Sequence, residues 1–120
     1  MNTQEIANQL VSLCREGKHT QVIKDLYAEN ITSKEMPGFP NEITSGRDAV
    51  HKKTVDFFSG VEELHSNEIS EPLVAGSHFS CNMTIDATFK EGGRQKIEEL
   101  CVYEVKDGKI INEQFFYQMG

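Results

Sequence analysis

The sequence predicts an α+β domain: a curved, mostly antiparallel sheet with three N-terminal helices packed against it as a cone. Two observations carry this. Apolar residues recur at the helical period in three stretches between residues 3 and 60, and at a period of two from residue 61 onward. The second half is divided by Ala75-Gly76, Gly92-Gly93 and Asp107-Gly108, which read as strand turns. The order is α-α-β-α-β-β-β-β, helices first and a meander after. At 120 residues the chain is expected to be one domain, able to bury roughly two thirds of its unfolded surface.

The first helix, 3–16, places Ile6, Leu10, Leu13 and Cys14 on one face. Asn2 or Thr3 caps its start, and Gly17 supplies the left-handed residue that ends it. A second helix, about 19–28, repeats the pattern with Val22, Ile23, Leu26 and Tyr27. "NITSKEM" (30–36) alternates weakly and stops at Pro37, as a short edge strand does. "PGFPNEITSG" is a loop. Ser45 begins the third helix, with Asp48 in the capping-box position; Val50, Thr54, Phe57 and Phe58 form its stripe and Gly60 ends it. Strands are predicted at 62–71, 77–90, 94–105 and 109–118.

Composition narrows the partners. A net charge of −7 opposes phosphate backbones and anionic lipid, and Lys52-Lys53 is the only adjacent basic pair, so no nucleic acid is expected. No apolar run approaches the ~20 residues of a membrane span. The polar N-terminus lacks the layout of a signal peptide, which points to the cytoplasm. Cys14, Cys81 and Cys101 are odd in number and have no ligand spacing; they read as buried free thiols. His19 is expected to be exposed, and His51 either to border a pocket beside Phe57 and Phe58 or to be a partly exposed helix residue. No His or carboxylate spacing suggests a metal site.

Three stretches carry a likeness to a known family. "DLYAENITSKEMPG" (25–38), "SGRDAVHKKTVDFF" (45–58) and "VYEVKDGKIINEQFFY" (102–117) stand at the right places in the element order. With that order, the sequence resembles the nuclear transport factor 2-like superfamily, and within it SnoaL-like domains and ketosteroid isomerase. The resemblance implies a cystatin-like cone around a pocket for a small, mainly apolar molecule, and dimerisation through the sheet. It also places Glu35 where ketosteroid isomerase has its general base. Leu10 falls at the position of that enzyme's oxyanion tyrosine and carries no donor. The neutral acid's position falls near Cys101, with Glu99 one inward step away. The chain therefore departs from ketosteroid isomerisation.

The last hairpin decides where Glu99 and Glu113 point. A two-residue Asp107-Gly108 loop pairs Val105 with Ile110 and sends the two glutamates to opposite faces. A three-residue Lys106-Asp107-Gly108 loop pairs Val105 with Lys109 and puts both on one face with Cys101, Tyr103, Ile111, Phe115 and Tyr117. The second gathers more of the apolar residues and is preferred. It leaves Leu100, Val102, Ile110 and Phe116 on the outer face, and sets Glu113 opposite Cys101 and diagonal to Glu99, roughly 7–8 Å away. Two carboxylates that close do not both ionise in an apolar cone. By the same logic a Glu91-Gly92-Gly93 loop brings Phe79, Cys81, Met83, Ile85 and Ala87 to that face. Each glutamate has a plainer reading as a solvated rim or edge-strand residue.

Two functions follow. One is a cofactor-free acid/base isomerase or cyclase, with Glu35 as base and Glu99 orienting a carbonyl or hydroxyl together with Tyr103 or Tyr117. Glu113, Phe115, Cys101, Phe57 and His51 complete the predicted ligand-binding set. The other is a non-catalytic ligand-binding or dimerisation module.

Overall fold

Asn2 accepts the backbone N–H of Glu5 at 2.8 Å, and Glu5 accepts that of Asn2 at 2.9 Å, a reciprocal cap that starts α1 (Thr3–Arg15). The computed structural model describes residues 1–118. Helix α1 buries Ile6, Ala7, Leu10, Val11 and Cys14, and the chain reverses at Gly17, whose φ of 76° suits glycine. Helix α2 (His19–Leu26) buries Val22, Ile23 and Leu26. It ends earlier than the periodicity suggested. Tyr27 turns extended and opens β1 (Tyr27–Lys34), because pairing with the last strand captures it.

Strand β1 is interior, not an edge. The loop after it contributes β2 (Ile43–Ser45), which pairs antiparallel along β1's outer side. On the inner side β1 runs parallel to β7 (Lys109–Tyr117). Ser45 therefore belongs to β2 and does not start a helix. Gly46, at φ 96°, donates its N–H to Ile31 O at 2.8 Å and caps α3 (Arg47–Ser59) without a side-chain bond. The predicted strand at 62–71 is β3 (Val61–Ile69), and β4 (Leu73–Ala75) is a separate short strand paired with β5 (His78–Phe89). With β6 (Gly93–Lys106), the sheet order is β2-β1-β7-β6-β5-β3. Among the described residues no helix is long and apolar enough to cross a membrane.

Both long hairpins put the expected residues inward by turns other than those expected. In β5–β6 the loop is Lys90-Glu91-Gly92, one position earlier, so Phe89 pairs with Gly93. Phe79, Cys81, Met83, Ile85 and Ala87 are nonetheless all buried. In β6–β7 the turn has two residues. Asp107 and Gly108 have φ of 52° and 76°, the positive pair a type I′ turn requires, and Val105 pairs with Ile110 rather than Lys109. One step on, Glu104 pairs with Asn112 and leaves Ile111 as the extra residue of a β-bulge.

The bulge restores the face that the short turn had reversed. Glu99, Cys101 and Tyr103 now stand opposite Tyr117, Phe115 and Glu113 respectively. Glu113 is thus opposite Tyr103, not Cys101, and four positions along β7 from Tyr117, about 13 Å at strand rise. The two glutamates are not close enough to share a proton. Ile110, expected outside, is fully buried, while Ile111 is half-buried. The core joins the helices to this concave face. Leu10, Leu26, Ile31, Val50 and Ile110 are fully buried, each contributing roughly 1.5–3 kcal/mol.

Candidate functional site

The helices do not close completely over the sheet. A cavity of about 380 Å³ remains, walled by apolar residues that include Leu10, Ile23, Met83, Ile97 and Phe115. Helix α3 presents Lys53, Thr54, Phe57 and Phe58 to it, in phase with the buried Val50. His51, one residue after Val50, is rotated by about 100° and is exposed, outside the lining. Phe57, 40% exposed as a residue, lines the cavity with its ring edge-on to Phe58 and Phe89 at 5.1 and 5.8 Å. His19, expected in solvent, also lines the cavity; it stacks on Phe58 at 4.6 Å, and burial lowers its pKa.

All three glutamates line this cavity, each in a different electrostatic setting. Glu35 lies one residue past β1, its N–H donated to Glu42 O at 2.8 Å. Its carboxylate accepts from Lys53 Nζ at 3.1 Å and from the Tyr117 hydroxyl at 2.9 Å. Burial first, and then donation to Glu35, pushes the Tyr117 phenol up to about 12. Lys53 Nζ also donates to Ser33 Oγ at 2.7 Å and sits 5.7 Å from the centre of the Phe115 ring.

Glu113 is 3% exposed. It accepts from the Tyr27 hydroxyl and is bonded to Ser33, its strand partner on β1. Burial pushes its carboxyl up, and the two hydroxyls and the Lys53 charge pull it back. Buried acids survive in this way, by having donors.

Glu99 has no such support. Its one hydrogen-bond partner among the described residues is the Cys101 thiol, with Sγ 3.7 Å from Oε1, and a thiol is a weak donor. Burial, followed by the Glu35 charge, pushes Glu99 up to about 7. The thiol and Lys53 pull it down, and Glu113 adds to the rise.

Of the other predicted ligand residues, Tyr103, Phe115 and Tyr117 line the cavity. Tyr103 stacks on Phe79 at 4.7 Å. Cys101 does not line it. That side chain is fully buried behind the wall and bonds to the cavity-lining Glu99.

Sequence reasoning missed Tyr27, Ser33 and Lys53. Lys53 stands three residues after Val50 and four before Phe57, on the helix face that the apolar stripe defines, and that spacing was the available signal. Tyr27 was read as helical, which concealed its alternation with Ile31, Ser33 and Glu35.

A family model for the SnoaL-like domain matches residues 1–117. The chain belongs to the SnoaL-like family. A Mesorhizobium loti structure, described as a candidate SnoaL-like polyketide cyclase (carbohydrate phosphatase), is 30% identical and superposes with a TM-score of 0.90, covering 98% of this chain and 100% of that one. A Xanthomonas campestris protein of unknown function with a cystatin-like fold is 16% identical, with a TM-score of 0.82 over 99% and 92% of the two chains. A candidate SnoaL-like polyketide cyclase from Jannaschia is 14% identical, with a TM-score of 0.78 over 98% and 87%. The last two likenesses concern the SnoaL-like fold alone. No curated protein matches the chain.

Proposed function

We propose that this SnoaL-like chain binds a small, mainly apolar molecule in its cavity and moves a proton on it without a cofactor, Glu99 acting as both acceptor and donor. One observation carries the reading: Glu99 is a cavity carboxyl with no charged or hydroxyl partner among the described residues, while the acids beside it are already engaged. A general acid/base works best when it titrates near the operating pH, and burial in this cone moves Glu99 there. Glu35, the base by resemblance, is held by an ammonium and a phenol. Both donors occupy its carboxylate oxygens before any ligand arrives. Its role in this reading is to position Lys53.

The reaction class is isomerisation or cyclisation through an enolate, which takes one proton from carbon and returns one. The cyclase description of the Mesorhizobium loti relative, 30% identical over the whole of that chain, favours it. The test is deuterium exchange at the α-carbon of 2-tetralone in D₂O, followed by NMR. Wild type is expected to accelerate exchange, and Glu99→Gln to abolish the acceleration while the ketone still binds. Exchange at the wild-type rate in Glu99→Gln removes Glu99 from the mechanism.

A second reading concerns assembly. Leu100 and Phe116 are direct cross-strand partners on the outer face of the sheet, 42% and 41% exposed, and we infer a homodimer through this face. It is compatible with catalysis in the cone.

A further inference from the structure

We propose that Lys53 is the group that recognises the ligand, holding the oxygen of a neutral ketone by an N–H bond and so selecting carbonyl compounds for this cavity. The inference rests on the proton-transfer reading above and adds the substrate class and the residue that selects it.

Lys53 is tethered. Its ammonium has three N–H groups; one goes to Ser33 Oγ at 2.7 Å and one to Glu35 Oε1 at 3.1 Å. The third has no partner among the described residues, and the residue lines the cavity. The Phe115 ring, 5.7 Å from Nζ, helps fix the head group. A lysine is ordinarily a floppy point charge. Here the two tethers remove most of that freedom before any ligand arrives, and preorganisation of this kind makes a donor effective.

Leu10 offers no donor, and the Tyr117 and Tyr27 hydroxyls are donated to Glu35 and Glu113. His19, Thr54, Gln95 and Tyr103 also line the cavity, but none of them is an ammonium fixed by two tethers. Lys53 is the one lysine or arginine among the cavity's described lining residues. Glu35 balances its charge, so the Lys53–Glu35 pair is neutral overall. A carboxylate ligand at Lys53 would sit against the Glu35 oxygens and be repelled, whereas a neutral carbonyl would not. The chemistry balances. The α C–H bond breaks and its proton goes to Glu99; the electron pair moves onto the carbonyl oxygen, which keeps its N–H bond from Lys53. Return of the proton from Glu99 to carbon reverses every step.

Matched probes test the choice: 2-tetralone, its deoxygenated counterpart tetralin, and the carboxylate 1,2,3,4-tetrahydro-2-naphthoate, each titrated by calorimetry. Wild type is expected to bind the ketone about tenfold or more tighter than tetralin, the scale of one charge-assisted hydrogen bond. Lys53→Met should bring the ketone down to the affinity of tetralin and leave tetralin itself unchanged, which also shows that the cavity is intact. Should Lys53→Met leave Glu35 uncompensated and unfold the chain, the charge-balanced pair Lys53→Met with Glu35→Gln makes the same comparison. A ketone preference that survives loss of Lys53, its absence in wild type, or tighter binding of the carboxylate than the ketone overturns the proposal. Failure of Glu99→Gln to affect exchange leaves these affinities untouched, so failure of the proton-transfer reading is distinguishable from failure of this one.

Discussion

Glu99 and Tyr117 are Cα partners on adjacent strands, yet the Tyr117 hydroxyl is donated to Glu35 at 2.9 Å and not to Glu99. That choice of acceptor divides the labour of the cavity. Glu35 gains a second strong donor, and Glu99 keeps only a thiol among the described residues. One carboxylate is tied to two donors, and the other is left to titrate where a proton can be both taken and returned.

A pH dependence of activity follows. Proton abstraction needs ionised Glu99, so the rate of α-exchange should rise with pH and reach half its plateau near pH 7. Stopped or quenched NMR exchange of 2-tetralone between pH 5 and pH 9 measures it. Glu99→Gln should flatten the profile. A midpoint near 4.5, the ordinary value of a glutamate, would place the base elsewhere.

Stability should follow pH in the opposite direction. The folded value of Glu99 lies above the unfolded value of 4.5, so the native state retains a proton that the unfolded chain releases. Stability from this group is full below pH 4.5, falls as pH rises toward about 7, and is level beyond. Glu113, also raised, adds with the same sign. The Glu99 part amounts to at most roughly 3 kcal/mol. Urea unfolding of wild type and Glu99→Gln at pH 4.5 and pH 8 isolates it: the variant should gain relative to wild type at the higher pH.

The Cys101 thiol is a lever on the same titration. It lowers the Glu99 pKa by donating to Oε1 across 3.7 Å. Cys101→Ala removes the donor and should move the midpoint of the exchange profile upward, and Cys101→Ser, a stronger donor, should move it downward. Cys101 does not line the cavity, so affinity for tetralin should be the same in all three proteins. Equal midpoints across the series would separate Cys101 from the site.

The sequence carried the fold well and the site in part, for physical reasons visible in particular residues. Strand faces were legible because alternation is long-range: Phe79 to Ala87 and Glu99 to Tyr103 point inward whatever the turn does. The turns were not, since a one-residue change of loop and a one-residue bulge at Ile111 cancel in the pattern. Strand β2 has only three residues and sits in a proline- and glycine-rich segment, so no periodicity announces it. Lys53 was passed over because lysine on a helix is usually solvated. Only the proximity of Ser33 and Glu35, 20 and 18 residues away in sequence, brings it inside.

The bulge gives a structural prediction. Deleting Ile111 removes the residue without a partner and leaves Asn112 opposite Glu104 and Glu113 opposite Tyr103 in a regular ladder, so Glu113, Phe115 and Tyr117 keep the inner face. Deleting Gln114, which is paired with Val102, instead turns Phe115 and Tyr117 outward and takes a wall from the cavity, a cost beyond ordinary point mutations. Gly108→Ala, by contrast, meets only ordinary van der Waals contact at Met1 and should cost roughly 1–2 kcal/mol, from the left-handed backbone alone. Thermal unfolding should rank the Gln114 deletion far below the Ile111 deletion. The reverse order would refute the bulge.

The outer sheet face makes the last prediction. Leu100 and Phe116 stand opposite each other with about two fifths of each exposed, beside the half-buried Val102. Glu98, Glu104, Asn112 and Gln114 surround them, so an apolar centre has a polar rim, the anatomy of a protein–protein interface. Ile110, expected to belong to this patch, lies in the core, which makes the patch smaller than the sequence implied. If two copies pair about a two-fold axis, each patch meets itself, and one added charge per chain becomes a like-charge pair at the centre. Wild type should therefore sediment as a dimer, and Phe116→Glu as a monomer. Because the patch lies on the far side of the sheet from the cavity, ketone binding should persist in the monomer. A wild type that sediments as a monomer at every concentration tested would refute pairing through this face and leave the acid/base reading of the cone intact.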